Sequence, residues 1–153
     1  MDKRTEFNSA LKEALKSKDV VATATIRLIL AALKDRDIAS RTEGHAEGIS
    51  ENDILSMLQS MIKQRLESSE TYRKAGRDDL ADREEQEIVV IQRFLPRQLG
   101  DNEVREAVDK LIAELNVTDI RDMGKVMGVL KTRYAGQLDM SKASGVVKER
   151  LAS

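Results

Sequence analysis

An all-α fold is predicted from two features of this sequence. Its 153 residues include one proline and only four aromatics, two Tyr and two Phe, which favours long helices over a turn-rich, strand-rich chain. Apolar residues also recur at three- and four-residue spacing along most of its length.

The elements follow in order. Phe7, Ala10, Leu11, Ala14 and Leu15 share one helical face and predict a first helix over about residues 2–17. Asp19 can cap a second, running to about residue 41. This one is apolar on two sides, with Val21, Ala24, Leu28 and Ala31 in one row and Ile26, Ile29, Leu30 and Leu33 in another. It is therefore expected at the centre of a bundle. Residues 43–49 have no periodicity, contain Gly44, His45 and Gly48, and read as a mobile surface loop. Ser50 and Asp53 open a long third helix marked by Ile54, Leu58, Met61, Arg65 and Tyr72, and Gly76 is its natural stop. A fourth starts at Asp78 or Asp79, carries Leu80, Ile88, Ile91 and Leu95, and must end before Pro96.

Pro96 lies in the only proline-containing joint, residues 94–100, and divides the chain into an N-terminal helical domain (1–95) and a C-terminal domain (96–153). Three shorter helices are expected beyond it. The first begins at Asp101 or Asn102 and carries Val104, Val108, Leu111, Ile112 and Leu115. The second begins near Asp119 with Met123, Met127, Leu130 and Tyr134. The last is capped by Asp139 or Ser141 and carries Val146, Val147 and Leu151. The predicted architecture is a four-helix part followed by a small three-helix part with a basic tail. There is no internal repeat.

Composition narrows the chemistry. The chain has no Cys and a single His, which excludes disulfides, thiolate metal sites and any site needing two imidazoles. Net charge is −1, so nothing global points to nucleic acid or membrane. The longest apolar run, Leu28 through Leu33, is bracketed by Arg27 and Lys34 and is far too short to span a bilayer. No apolar secretory run opens the chain, and a cytoplasmic location is expected.

No phosphate-binding glycine loop of the GxxxxGK[ST] kind and no GxSxG elbow occurs. Ser141 and Lys142 are adjacent, so on a helix they point apart and make a poor catalytic pair. Asp78, Asp79, Asp82, Glu84, Glu85 and Glu87 could attract a hard cation. Favourable charge at a helix start, with pairs such as Asp79–Arg83, is the preferred reading. His45 lacks orienting partners. No catalytic residue, metal or cofactor is therefore assigned. Arg27, inside the most apolar helix, is expected to pair with a carboxylate or snorkel to an edge rather than hold a ligand.

Charge is sorted within the C-terminal part. Residues 100–122 hold three basic and seven acidic residues, and residues 123–153 hold six basic and two acidic. The six cations are Lys125, Lys131, Arg133, Lys142, Lys148 and Arg150. Gly124 and Gly128 lie four apart on one helix. Tight packing of a neighbouring helix on them is the preferred reading. The functional reading is a smooth surface on which a sugar-phosphate backbone rests while Lys125, Lys131, Arg133, Lys142 and Lys148 neutralise phosphates. Stacking aromatics are absent apart from Tyr134, so folded RNA suits such a surface better than single-stranded bases.

The string Met123-Gly124-Lys125-Val126-Met127-Gly128-Val129-Leu130-Lys131, then Gly136-Gln137-Leu138-Asp139-Met140 and residues 147–151, is similar to the tail of the GatB/YqeY family. Residues 72–81 and 94–99 resemble its middle, and residues 26–34 its start. The match runs in order over essentially the whole chain, at the length of the free-standing YqeY-like proteins. No single motif is diagnostic; order and spacing together are specific. The resemblance implies four helices followed by three. It also implies a link to glutamine-dependent tRNA amidotransferases, carbon–nitrogen ligases of translation whose B subunit ends in a related, tRNA-contacting region. Their amidase and phosphate-transfer sites lie in other domains or subunits. The expectation is a non-catalytic tRNA-binding accessory module with an amidotransferase or aminoacyl-tRNA synthetase as partner. The alternatives are a ligase component acting with a partner subunit, and a helical protein–protein adaptor.

Overall fold

The computed structural model describes residues 2–152, which form seven α-helices and no strand. The chain divides into two compact units, Met1–Pro96 and Arg97–Ser153.

The first unit contains α1 (Lys3–Lys16), α2 (Val20–Thr42), α3 (Glu51–Lys74) and α4 (Asp78–Gln92). Three of these start on side-chain caps. Asp2 accepts the Thr5 N–H at 2.8 Å, Asp19 the Ala22 N–H at 3.0 Å, and Ser50 the Asp53 N–H at 3.1 Å. Each satisfies an otherwise orphaned donor, a contribution of about 1 kcal/mol. Gly76, at φ +74°, closes α3: its N–H reaches the Arg73 carbonyl and that of Arg77 the Tyr72 carbonyl. Helix α4 stops at Gln92 and tightens into i→i+3 turns, with the Phe94 N–H on the Ile91 carbonyl and the Leu95 N–H on the Gln92 carbonyl, both at 3.1 Å, ahead of Pro96, which has no N–H to continue the helix.

The core of this unit centres on Phe7, whose ring meets that of Phe94 edge-on at 5.0 Å. Ile29, Ile54, Met57, Leu58 and Ile91 are fully buried around it. Helix α2 packs against α1, α3 and α4, as a central helix should, but only one of its two apolar rows is covered. It buries one face, with Ala22, Thr25, Ile26, Ile29 and Leu33, and turns Leu28 and Ala31 to solvent. Arg27 lies on that outer face, is exposed and has no ion-pair partner among the described residues, so of its two expected arrangements the carboxylate pair does not form. The α3–α4 seam carries the polar contacts instead. Arg65 bonds Glu87 at 3.2 Å, Ser69 donates to Glu85 at 3.1 Å, and Arg73 gathers Asp78, Asp82 and Glu85. The acidic cluster is thus largely consumed by arginines. The expected Asp79–Arg83 pair does not form: Asp79 pairs with Arg77 at 3.2 Å and Arg83 turns to Glu87 at 3.7 Å.

The α2–α3 loop is tied down at its far end. The Asp37 carboxylate accepts from the Arg4 guanidinium at 2.6 Å and from the Ile49 N–H at 2.9 Å.

The second unit contains α5 (Asp101–Leu115), a single 3₁₀ turn (Ile120–Asp122), α6 (Met123–Arg133) and α7 (Met140–Ala152). Asp119 caps the 3₁₀ turn rather than α6 itself. Asp139 caps α7 by accepting from the Ser141 and Lys142 N–H groups at 2.9 and 3.2 Å. Val108, Leu111, Val126, Leu130, Leu138 and Val147 form its fully buried centre. Leu99 is hydrogen-bonded to the Gln137 carbonyl at 2.9 Å, which closes the unit behind its first residues.

Candidate nucleic-acid interface

Helix α6 buries Val126 and Leu130, which turns Gly124, Gly128 and Lys131 outward along one line at i, i+4 and i+7. Lys125 flanks that line. Neither glycine is packed: a Cβ added at Gly124 or Gly128 would meet nothing within 4 Å. The close-packing reading of these glycines is therefore corrected. The apolar side of the short helix is occupied by Val126 and Leu130, and the glycines fall on the side that the unit leaves open. Helix α7 repeats the arrangement. Its buried side is Ala143, Val147 and Leu151, and outward-facing Gly145 is bracketed by Lys142 and Lys148. Gly145 also has open space around it. Sequence reasoning passed over this third glycine. Its signal was a glycine in mid-helix, two residues before the buried Val147.

The six cations divide into two sets. Arg133 is held by Glu114 of α5 at 2.9 Å, Arg150 by Asp109 at 2.7 Å, and Lys142 lies 3.5 Å from Asp101. All three acids belong to α5, so much of the charge sorting seen in the sequence is internal pairing between α5 and the two helices after it. Glu114 and Asp109 raise the already high pKa values of Arg133 and Arg150 through these hydrogen bonds. Lys125, Lys131 and Lys148 are exposed and have no ion-pair partner among the described residues. Of the residues singled out from sequence, the structure leaves Lys125, Lys131, Gly124 and Gly128 together on α6. Lys142 and Lys148 sit on α7, and Arg133 is turned toward α5.

What such a surface can do is bind an anionic polymer. Unpaired ammonium groups attract phosphates, and bare helix backbone lets a bulky chain approach closely. Among the described residues no group of three or more His, Asp or Glu side chains is placed to hold a metal ion. No helix there is long and apolar enough to cross a membrane.

The sequence of this chain has known counterparts. The family described as Yqey-like protein matches residues 4–151, and this chain belongs to it. Among curated relatives, the mitochondrial protein named altered inheritance of mitochondria protein 41 of Clavispora lusitaniae is 30% identical over 111 residues, covering 71% of this chain and 62% of its own length. Its counterpart in Lachancea thermotolerans is 29% identical over 117 residues, covering 75% of this chain and 60% of its own. That of Pyrenophora tritici-repentis is 32% identical over 144 residues, covering 91% and 75%. The chain thus spans about three fifths of the first two relatives.

These names overturn the cytoplasmic location expected from sequence, since all three relatives are called mitochondrial. The physical reason is simple. That expectation rested on the lack of an apolar secretory run, whereas mitochondrial targeting segments are amphipathic and arginine-rich and leave no such run.

Proposed function

We propose that this chain is a non-catalytic RNA-binding accessory module for tRNA, working beside an enzyme that handles aminoacyl-tRNA, an amidotransferase or a synthetase. The contact surface is the outward side of α6 and α7. Lys125, Lys131 and Lys148 neutralise phosphates, and Gly124 and Gly128 let the backbone come close. Lys142 and Arg133 contribute less, because binding RNA would mean giving up Asp101 and Glu114. In the same proposal the four helices before Pro96 and the three after it are separate domains.

The observation that carries the reading is the coincidence of unpaired lysines with unpacked helix glycines. An exposed glycine inside a helix is less favourable than alanine by about 1 kcal/mol, and here no packing offsets that loss. A surface selected for close approach accounts for it.

Filter binding of total tRNA, organellar tRNA included, tests the reading at two salt concentrations. Three neutralised phosphates give a log–log salt slope of about −2.7, or about fortyfold weaker binding at 200 mM than at 50 mM salt. Replacing Lys125, Lys131 and Lys148 together by Ala should flatten that slope and leave the fold intact. Different tRNAs should lose affinity alike, since phosphate contacts position without specifying. A triple variant with full affinity, or wild type with none at low salt, overturns the reading.

A further inference from the structure

The outer face of α2, opposite the core of the first unit, carries a line of apolar side chains interrupted by Asp35. Val20 is 73% exposed, Leu28 45% and Ile38 49%, with Ala24 and Ala31 between them. From Val20 to Ile38 this line runs for about 27 Å at the helical rise. Beside it stands a column of cations at seven-residue intervals, Arg27, Lys34 and Arg41, all exposed and without an ion-pair partner among the described residues. Asp35 is the acidic residue within the stripe.

The stripe ends in a preformed recess. The α1–α2 corner is fixed: Lys18 takes the left-handed conformation at φ +58°, and the Asp19 N–H bonds the Ala14 carbonyl at 2.9 Å. Leu15, Lys18, Asp19, Val20, Thr23, Ala24 and Arg27 line a shallow, open recess of about 300 Å³ there, apolar on its Leu15, Val20 and Ala24 side. That is the low end of the size range of ligand pockets, enough for one large apolar side chain.

We propose that this face docks an amphipathic helix of a partner protein. The partner helix carries acidic residues along one flank and a large apolar residue at the end that enters the corner recess. Alanines at positions 24 and 31 let a second helix axis come close, with Val20, Leu28 and Ile38 as the ridges around them. Arg27, Lys34 and Arg41 then meet acids at the matching heptad spacing.

Charge argues against a second copy of this chain. Antiparallel pairing of two α2 helices brings like flanks together, cation column against cation column. Parallel pairing sets the column against Val21, Ala32 and Ala39, which offer no acid. A lipid surface is a poorer fit as well, because alanines add little insertion area. This surface lies on a different unit from the α6–α7 face and does not depend on RNA binding.

The test uses the full chain and two three-heptad peptides with leucine at the core positions, one with glutamate flanks and one with lysine flanks. Fluorescence anisotropy should show the acidic peptide binding and the basic one not. Reversing the column (Arg27→Glu, Lys34→Glu, Arg41→Glu) should weaken the acidic peptide at least about tenfold and admit the basic one. Ala31→Arg should abolish binding of the acidic peptide without loss of helicity, since residue 31 is exposed. A photo-crosslinker at residue 31, used in cells, should attach to an acid-flanked helical segment of another protein. The proposal is overturned if both peptides bind alike or neither binds. It is also overturned if crosslinks join two copies of this chain, if anionic vesicles bind as tightly as the peptide, or if column reversal lowers tRNA affinity as much as it lowers peptide affinity.

Discussion

Gly48 and Thr25 show how much a single residue decides here. Gly48 sits at φ +86°, and an added Cβ would overlap the Asp37 carboxylate that holds Arg4 and Ile49. Gly44, at φ +98°, has open space. Gly48→Ala should therefore destabilise by about 2–3 kcal/mol, from backbone strain plus displacement of Asp37, and Gly44→Ala by about 1 kcal/mol from strain alone. Urea unfolding of the two variants checks the difference; equal effects would mean that the Asp37 contact contributes nothing. Thr25 is fully buried in the first core, and its hydroxyl has no hydrogen-bond partner among the described residues. Thr25→Val keeps the shape and removes the unsatisfied oxygen, so it should stabilise by about 1 kcal/mol. Both positions were unreadable in the sequence: a loop glycine and a helical threonine announce neither a carboxylate neighbour nor a missing partner.

At the scale of elements, the caps make the pH dependence. Glu103, in the first turn of α5, takes both guanidinium nitrogens of Arg97 at 2.9 and 2.8 Å and the Gly100 N–H at 3.0 Å. The Arg97 contact first, and the backbone donor second, lower its pKa from the ordinary 4.5 to about 2. Because the folded carboxyl titrates below the unfolded one, its contribution is fully present above about pH 4.5 and is lost as pH falls toward 2. Carbon-13 NMR titration should place the Glu103 midpoint near the low end of that window, and Arg97→Ala should move it back up. An unshifted Glu103 in the wild type would refute the capping contact. Helix α6 offers the converse test. Since nothing lies near Gly128, Gly128→Ala should raise stability by about 0.5–1 kcal/mol. The same change should weaken tRNA binding if the bare backbone is a contact surface. A variant both less stable and unaltered in binding would return Gly128 to a packing role.

The whole molecule is two units, each with its own core, one around Phe7 and Phe94 and the other around Leu111 and Leu130. Limited proteolysis should cut first in residues 44–48 and next in residues 97–100, and the second cut should release two folded fragments. Circular dichroism and gel filtration of the products check this; immediate degradation of either fragment would show that the units depend on each other. The two open faces are also divided, the apolar stripe of α2 in one unit and the lysines of α6 and α7 in the other.

Hydrophobic period, caps and stops are local, so the sequence by itself determined the helical class, the seven helices and most of their ends. Asp2, Asp19, Ser50 and Asp139 act on backbone groups two to three residues away, and Gly76 and Pro96 end helices through their own backbone geometry. The order of motifs also carried the YqeY-like family. Only the tertiary structure decided which faces are covered. Helix α2 has two apolar rows, and nothing local says that one stays bare. Gly124 and Gly128 look the same in sequence whether packed or open. The division of six cations into three held by α5 and three left free depends on residues 19 to 41 positions apart coming together. Burial and ion pairing at such separations are set by how helices meet, and periodicity within one helix carries no information about that.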